Sequence, residues 1–551
     1  MRITDKFSGL DFYGKVLVAI LFFAIAVRAV GISYGLPLWL IDDEQPFILA
    51  AIKMLQLHTV IPGLHGPEFE NILYYPPYIS YLYLVPFAVL LGIQYIINHG
   101  IGDLLIPLIV SDLSQFFIAA RLMMTAISLA SIFLIYRTGK NIFADSRTGM
   151  LSAVFLSTSL LHILLSITSR HWLIVSFFGL LIFYILTNPG YGNGKKYLYA
   201  SAAAGIGTGF STIIAAYLAL IALWYFFVEE NPIPAGKIAA CAALFSVLAA
   251  IPLLIYPQSL GFSGDVTTGA SKTAAGILAS PFLFLKPIAV SEPVMAVFAV
   301  IGLTSLFFAR RNLLLTLSAF IYGYSALFYA AFRYEHRFTA GILPLIAILA
   351  AYGLDKSSEL LRDRKIYLIL AIPLIFSMQL GRLILNNDSR VIARTWIEEN
   401  IPAHEKILVY ARLTRLSADA GAIEEQRAVD SGSLRKVDEA EMKLPPELRG
   451  SPSFHALNLY SIDNLEFFEN ISEYSVKNGY RYLLISDEDF VWGRRDFSLM
   501  QEFAGTGKLM RKFGSDNPGY SISMTQIAGN PLKLFNMEGF GPPLSLYRIS
   551  D

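Results

Sequence analysis

The chain has 551 residues, of which 55% are hydrophobic, a mean hydropathy of +0.54 and a net charge of +1. That apolar content excludes an ordinary soluble protein, and a near-neutral chain lacks the basic face that a nucleic-acid partner would require. The single cysteine, Cys241, excludes an intramolecular disulfide. Up to about Leu385 the sequence is mostly apolar runs close to the ~20 residues that span a bilayer. Beyond it, more than half of all the acids crowd into less than a third of the length.

Hydropathy predicts spans near 16–33, 115–136, 148–167, 172–188, 197–211, 213–228, 237–256, 290–309, 312–331, 338–354 and 366–385. The first lacks a small-x-small cleavage site before Asp42 and reads as an uncleaved anchor. Three adjacent acids follow it, Asp42, Asp43 and Glu44. Acids at a membrane exit need water, a cation or a substrate. Asp43 can also cap the amides of a helix whose first turn holds Pro46, predicted over Phe47–Leu57 at the interface. A loop then leads to Tyr74-Tyr75-Pro76-Pro77-Tyr78, suited to the headgroup level.

The apolar run 77–97 is long enough to cross, but loop charge argues otherwise. Basic loops at Arg137–Arg147, Lys195–Lys196, Arg310–Arg311 and Lys356–Lys365 all fall on one side only if 77–97 does not cross. The expected arrangement has about 11 membrane helices and a cytoplasmic N-terminus. Residues 34–114, 168–171, 257–289, 332–337 and the C-terminal region then lie outside the cytoplasm. Gly205, Gly207 and Gly209 in the paired spans suit close helix packing.

From Asn386 the pattern changes to a helix and strand in RVIARTWIEENIPAHEKILVY, a second such pair in ISEYSVKNGYRYLLIS and a closing strand in LSLYRIS. These predict an α/β domain over 386–551, with 415–455 as loops. The fold class is a polytopic α-helical membrane protein with a C-terminal extracytoplasmic α/β domain.

Ionisable residues on the outer side are the candidates for chemistry. Asp42, Asp43 and Glu44 can supply a general base or ligands for a divalent cation, or can simply start a helix. Arg170, His171 and Trp172 suit an anionic headgroup and a stacked sugar, or an ordinary interface belt. Arg333, His336 and Arg337 run against the charge bias and suit a phosphate. Arg121, two turns into a span, is either a site residue or the partner of one of the three acids. Lys272 and Lys286 are weaker candidates for the same anion.

In this order, Asp-Glu after the first span, an amphipathic helix, Tyr-Pro-Pro and then an Arg near the start of the next span, the chain resembles the GT-C membrane glycosyltransferases. The likeness is to the protein O-mannosyltransferase and aminoarabinose-transferase type. SITSRHW, GIGTGFST, EHRFTAGILPLIAILAAYGL and the C-terminal ARTWIEENIPAHEKILVY and NGYRYLLIS extend it over nearly the whole chain. The resemblance implies transfer of a sugar from a polyprenyl-phosphate carrier to an extracytoplasmic acceptor at the plasma or inner membrane. It implies Asp43 as base, with Asp42 the displaced-register alternative and Glu44 beside it. Arg121, Arg170, His171, Arg333, His336, Arg337 and Tyr75 would bind the donor. No cofactor is implied with certainty; a divalent cation, if used, would sit at Asp43 and Glu44. The chain departs from the pattern in two places: no acid follows Arg170, and no lysine follows the glycines of the paired spans.

Overall fold

The computed structural model describes residues 11–41, 43–70, 72–97, 102–259, 274–331, 335–450, 452–487, 495–515 and 529–550. Helices fill the chain to Leu385 and a five-stranded sheet follows. Helix α1 (Phe12–Ala29) starts under an Asp11 cap, whose carboxylate accepts from the Gly14 amide at 2.8 Å. Short α2 (Gln45–Gln56) carries Pro46 in its first turn and buries Phe47, Ile48, Ala50, Ala51 and Met54. Next come α3 (Tyr78–Ile97), α4 (Ser114–Phe143), α5 (Ser146–Thr158), α6 (Leu160–Ser166) and α7 (His171–Thr187).

Five described helices are long and apolar enough to cross a membrane: α1, α3, α4, Ala235–Ile255 and Arg364–Leu385. The pair α5 and α6, bent by 64° at Ser159, would make a sixth. Four shorter apolar helices of 10–17 residues accompany them. The chain is thus a multi-pass helical membrane protein. Several expected spans are interrupted. The run 338–354 opens as a 3-10 turn, His336–Gly341, before Leu343–Leu361, and 213–228 opens as Thr212–Ala216. The stretch 257–289, expected as a loop, holds the helix Ala274–Ser291 with Pro281 and Pro287 inside it. Buried Phe284 and Ile288 pack that helix against the bundle, and such packing lets a membrane helix keep a proline.

Contacts sort the bundle into two ends. At one end, Ser80 donates to the Phe47 carbonyl (3.1 Å), Tyr83 donates to the Ser169 carbonyl (3.3 Å) and Phe87 meets Phe116 edge-on at 5.0 Å. Gln94, near the far end of α3, donates to Gln115 at 2.8 Å. So the far part of α3 lies beside the start of α4, while its first turns meet Phe47 and Ser169. The Tyr78 amide donates to the Gly209 carbonyl at 3.0 Å. A Cβ on Gly209 would fall 2.1 Å from the Tyr78 ring, so only glycine lets these segments touch.

At the other end, Arg310 donates to the Ile142 carbonyl, Phe143 stacks on Tyr352 at 4.2 Å, and Arg147 pairs with Asp355 at 3.5 Å. Between the ends, Pro293–Ala309 and Leu343–Leu361 cross backbone to backbone. A Cβ on Gly353 would lie 1.9 Å from the Phe298 carbonyl oxygen.

The sheet has the order β2-β1-β3-β5-β4, from β1 (Lys406–Tyr410), β2 (His455–Asn458), β3 (Tyr482–Ser486), β4 (Lys508–Phe513) and β5 (Leu544–Arg548). Strands β2, β1 and β3 run parallel, while β5 is antiparallel to β3 and β4. Four consecutive residues of β1 and of β3 are buried, as expected for strands covered on both faces. The segment 415–455 is not only loop. Ala420–Val429 is capped by Asp419, and Lys436–Met442 is held by Arg415, which pairs with Asp438 and Glu441. Polar and apolar contacts tie the sheet region to the bundle: Tyr34 donates to Asp388 (2.8 Å), Gln379 donates to the Leu534 carbonyl (2.8 Å), and Leu534, Met537 and Phe540 pack with Tyr34, Leu380 and Ile384. The first-loop helix Leu105–Ser111 also packs on Lys436–Met442.

Candidate active site

The two described acids directly before α2, Asp43 and Glu44, diverge. Glu44 turns inward and is fully buried, as is Arg121. Arg121 meets it with two parallel bonds, Nε to Oε1 at 3.1 Å and Nη2 to Oε2 at 2.6 Å. The Ser169 amide adds a third bond to Oε1 at 2.6 Å. The remaining Arg121 nitrogen, Nη1, donates to the carbonyls of Ile32 (3.0 Å) and Tyr34 (2.7 Å). Every group of the pair is matched, as a buried ion pair requires. Of the two readings of Arg121, pairing with an acid is therefore the geometry found.

Asp43 turns outward. Its backbone is left-handed, φ 63°, a conformation that a non-glycine residue adopts only when its surroundings hold it there. It does not cap α2: the cap position is Glu44, which makes no side-chain cap bond. Two guanidiniums outcompete the helix amides for this carboxylate. Oδ2 accepts from Arg170 Nη2 at 2.5 Å and from Arg337 Nη1 at 3.3 Å. Oδ1 has no partner among the described residues, and the side chain is half exposed (49%).

Arg170 is the buried member, 2% exposed. Its Nε and Nη1 have no hydrogen-bond partner among the described residues. Burial, then the neighbouring Arg337 charge, holds its guanidinium below the ordinary value, with Asp43 opposing. Ser169 Oγ, both ring nitrogens of His171 and Trp172 Nε1 are likewise buried without partners. Tyr75 closes over them, its ring 4.4 Å from that of His171 and 5.4 Å from that of Phe47. Burial first, and the Asp43 carboxylate second, raise the Tyr75 phenol above its usual value. Arg337 also pairs with Glu335 at 2.6 Å, and His336 lies 3.5 Å from Ser291.

Asp43, Glu44, Arg121, Arg170, His171, Arg337 and Tyr75 thus gather at one end of the bundle, with His336 beside Arg337. Asp42, Arg333 and Lys272 lie outside the described residues. Lys286 is on the exposed face of Ala274–Ser291. Among the described residues no three His, Cys, Asp or Glu side chains gather as a metal site. The oxygens of Glu44 and Oδ2 of Asp43 already face guanidinium or amide donors, a charge environment that does not fit a cation.

Two residues that sequence reasoning passed over hold the segment carrying Arg170. A bent membrane helix exposes a carbonyl end and an amide end at its break. Arg28 donates to the Ser157 carbonyl (3.3 Å) at the end of α5, and also to Ser128 (2.7 Å), Ala24 (3.2 Å) and His162 Nδ1 (2.9 Å). Glu292 accepts from Ser159 Oγ (2.7 Å) and from the Leu161 amide (3.4 Å) at the start of α6. A cation thus meets the negative end of one half-helix and an anion the positive end of the next. An ionisable residue inside an apolar run was the available signal.

No family model matches the chain, and no curated protein does. Among solved structures it is similar to the crystal structure of ArnT from Cupriavidus metallidurans bound to undecaprenyl phosphate. That match has 11% identity and a TM-score of 0.45, over 90% of this chain and 95% of that one. The apo state of the same protein matches at 10% identity and a TM-score of 0.45, covering 90% and 94%. The cryo-EM structure of the arabinofuranosyltransferase AftD from Mycobacteria matches at 12% identity and a TM-score of 0.31, covering 79% of this chain and 34% of that one.

Proposed function

We propose that the chain is a membrane glycosyltransferase that moves a sugar from a polyprenyl-phosphate carrier to an extracytoplasmic acceptor. One observation carries the reading: a single carboxylate oxygen, on Asp43, is shared by Arg337 and by a buried Arg170 that keeps two further donors unpartnered. A buried guanidinium in that state wants an anion, and phosphate matches its fork. The sequence resemblance points to the same chemistry. In this reading the end holding Asp43 and the sheet region face away from the cytoplasm and the basic end faces it, in line with the loop charges.

The carrier phosphate takes the free donors of Arg170 and draws Arg337 toward it. That loosens both arginines from Asp43, whose carboxylate turns to the acceptor hydroxyl. The proton passes to Asp43 as the acceptor oxygen attacks the anomeric carbon from the face opposite the phosphate. The bond from carbon to phosphate oxygen breaks, and its electron pair stays on the departing polyprenyl phosphate. The configuration inverts. One base suffices, because the leaving group is already stable as an anion and needs no acid, unlike in glycoside hydrolysis. The arginines stabilise the charge gathering on that phosphate. Glu44 and Arg121 position Asp43 and Ser169, and Tyr75, His171 and Trp172 form the apolar wall against which a sugar stacks. No step passes through a metal ion.

The test is incubation of the purified chain in lipid with a radiolabelled polyprenyl-phosphate sugar and an acceptor mixture. Transfer should occur, and Asp43→Asn should lower turnover by roughly 10²–10⁴-fold with carrier affinity little changed. Loss with Asp42→Asn instead moves the base by one residue. Binding without turnover by the unaltered chain would make it a lipid-binding protein, and uptake without transfer would make it a transporter.

A further inference from the structure

The basic end of the bundle holds a cavity of about 610 Å³, within the range of roughly 300–1,000 Å³ usual for ligand sites. Asn141 and Ile142 from α4, Tyr191 and Trp224 contribute to its wall, and Arg310 and Arg311 stand at the turn between two membrane helices. It is remote from Asp43: the 21 residues of α4 between Arg121 and Ile142 span about 30 Å.

The charges around it are not equivalent. Lys196 is neutralised by Glu229, which also accepts from Tyr197 at 2.9 Å. Glu230 stands exposed at the rim. Arg310 and Arg311 meet no carboxylate among the described residues. Both are held by neutral groups, Arg310 over the Phe143 ring at 5.8 Å with one bond to the Ile142 carbonyl, Arg311 over Phe307 at 5.3 Å. The Asn141 amide nitrogen, in a residue of the same wall, is buried without a partner among the described residues. Two adjacent guanidiniums that no carboxylate among the described residues neutralises, in the wall of one cavity, suit a phosphate. The surroundings say which kind. Phe307, the ring under Arg311, and Phe308 next to it are exposed apolar rings directly before Ala309 and the arginines. These rings stand among membrane helices, where acyl chains cover them, so a phosphate carried on a lipid reaches the arginines from the bilayer itself.

We propose that this cavity binds the headgroup phosphate of an anionic phospholipid, with Arg310 and Arg311 on the phosphate and the acyl chains along Phe307 and Phe308. The site is separate from the transfer site and stands whether or not the chain transfers a sugar. Basic pockets at the ends of membrane helices hold such headgroups through their local positive potential.

The experiment is native mass spectrometry of the full chain in mild detergent, titrated with phosphatidylglycerol, phosphatidylcholine or glycerol phosphate. Phosphatidylglycerol should bind about tenfold or more tightly than phosphatidylcholine. Arg311→Gln, which removes no bond to the backbone, should cut that preference about fivefold, and Arg310→Lys/Arg311→Gln should cut it further. Glycerol phosphate should not displace the lipid at equal concentration. Equal binding of the two lipids overturns the proposal, as does an unchanged preference in Arg311→Gln. Displacement by glycerol phosphate at equal concentration overturns the lipid assignment, because the acyl chains then contribute nothing.

Discussion

Glu44 and Asp43 are adjacent in sequence, yet they belong to two regions of the molecule with different electrical character. Around Glu44 the accounting closes: two carboxylate oxygens, one guanidinium, one amide and two carbonyls, all matched, with both charged side chains fully buried. Around Asp43 it does not. One oxygen serves two arginines, the other has no partner among the described residues, and Arg170 beside it keeps two buried donors unmatched. Unmatched buried donors are costly to keep. A closed network fixes the backbone, and an open one at its edge leaves room for a ligand with the missing charge. In the proposed reaction the closed side positions and the open side reacts.

Breaking the closed side should have the largest effect. Glu44→Ala strands the Arg121 guanidinium in a dry interior, which costs about 3–5 kcal/mol. The folded protein should melt far earlier in a thermal unfolding assay and express poorly, whereas Asp43→Ala should melt close to the parent. Equal melting of the two variants would erase the distinction. Arg337→Ala acts on the open side. Asp43 keeps Arg170, so the fold should hold while carrier binding weakens by roughly 1.5–3 kcal/mol. Arg337 is the more exposed arginine, so the loss belongs at the lower end of that range. Isothermal titration with the lipid-linked donor reads it directly, and unchanged affinity would remove Arg337 from the anion site.

How much of this the sequence could tell depends on whether a feature is local. Asp43, Arg170, Arg337, His171 and Tyr75 were legible, because ionisable and aromatic residues at membrane exits are few and each needs a reason. The partnerships were not. Glu44 finds Arg121 across 77 residues, and Asp43 finds Arg170 and Arg337 across 127 and 294. Capping of α2 by Asp43 was a local inference overruled by those distant arginines. Arg28 and Glu292 were hidden because one charge barely lowers the mean of an apolar window. Residues 415–455 were passed over for the opposite reason: Ala422, Ile423 and Gln426 make a buried stripe too short to outweigh the charged residues around it.

A third network, in the sheet region, offers a milder comparison. His455 lies between Asp419 (3.2 Å) and Glu425 (2.6 Å), and Glu425 also accepts from Tyr474 and Tyr480. The bonds to Asp419 and Glu425 raise the imidazole to about 9. Burial alone would raise Glu425, but the bonds from His455, Tyr474 and Tyr480 outweigh it and hold the acid at about 2. The histidine's contribution is complete below its unfolded value of about 6.5 and fades as pH rises through 9. That of the acid is complete above about 4.5 and fades as pH falls through 2. Both describe one interaction, partly open to solvent, so its stabilisation is modest. Hydrogen exchange of the β2 amides, corrected for intrinsic rate, should quicken from pH 6 to pH 9.5 in the parent and change less in His455→Gln. A pH response that persists unaltered in the variant would assign it elsewhere.

The smallest effect is expected where a closed network loses one member of several. Tyr34 stands between the bundle and the sheet region: its carbonyl accepts from Arg121 and its hydroxyl donates to Asp388. Asp388 is fully buried, but Arg390 meets it through Nε (2.8 Å), Nη2 (2.9 Å) and its amide (3.0 Å). Burial would raise this carboxyl, yet Arg390 and its other donors hold it below the usual range. Tyr34→Phe removes one donor and leaves the carbonyl on Arg121, so the acid stays charged and compensated. The cost should be about 1 kcal/mol, well below that of Glu44→Ala, although both acids are equally buried. Earlier exchange of the Ser389–Asn400 amides, with the melting of the bundle unmoved, would show it. If Tyr34→Phe instead melts the protein as Glu44→Ala does, matching by several donors is not what protects a buried acid here, and the contrast between Glu44 and Asp43 loses its physical basis.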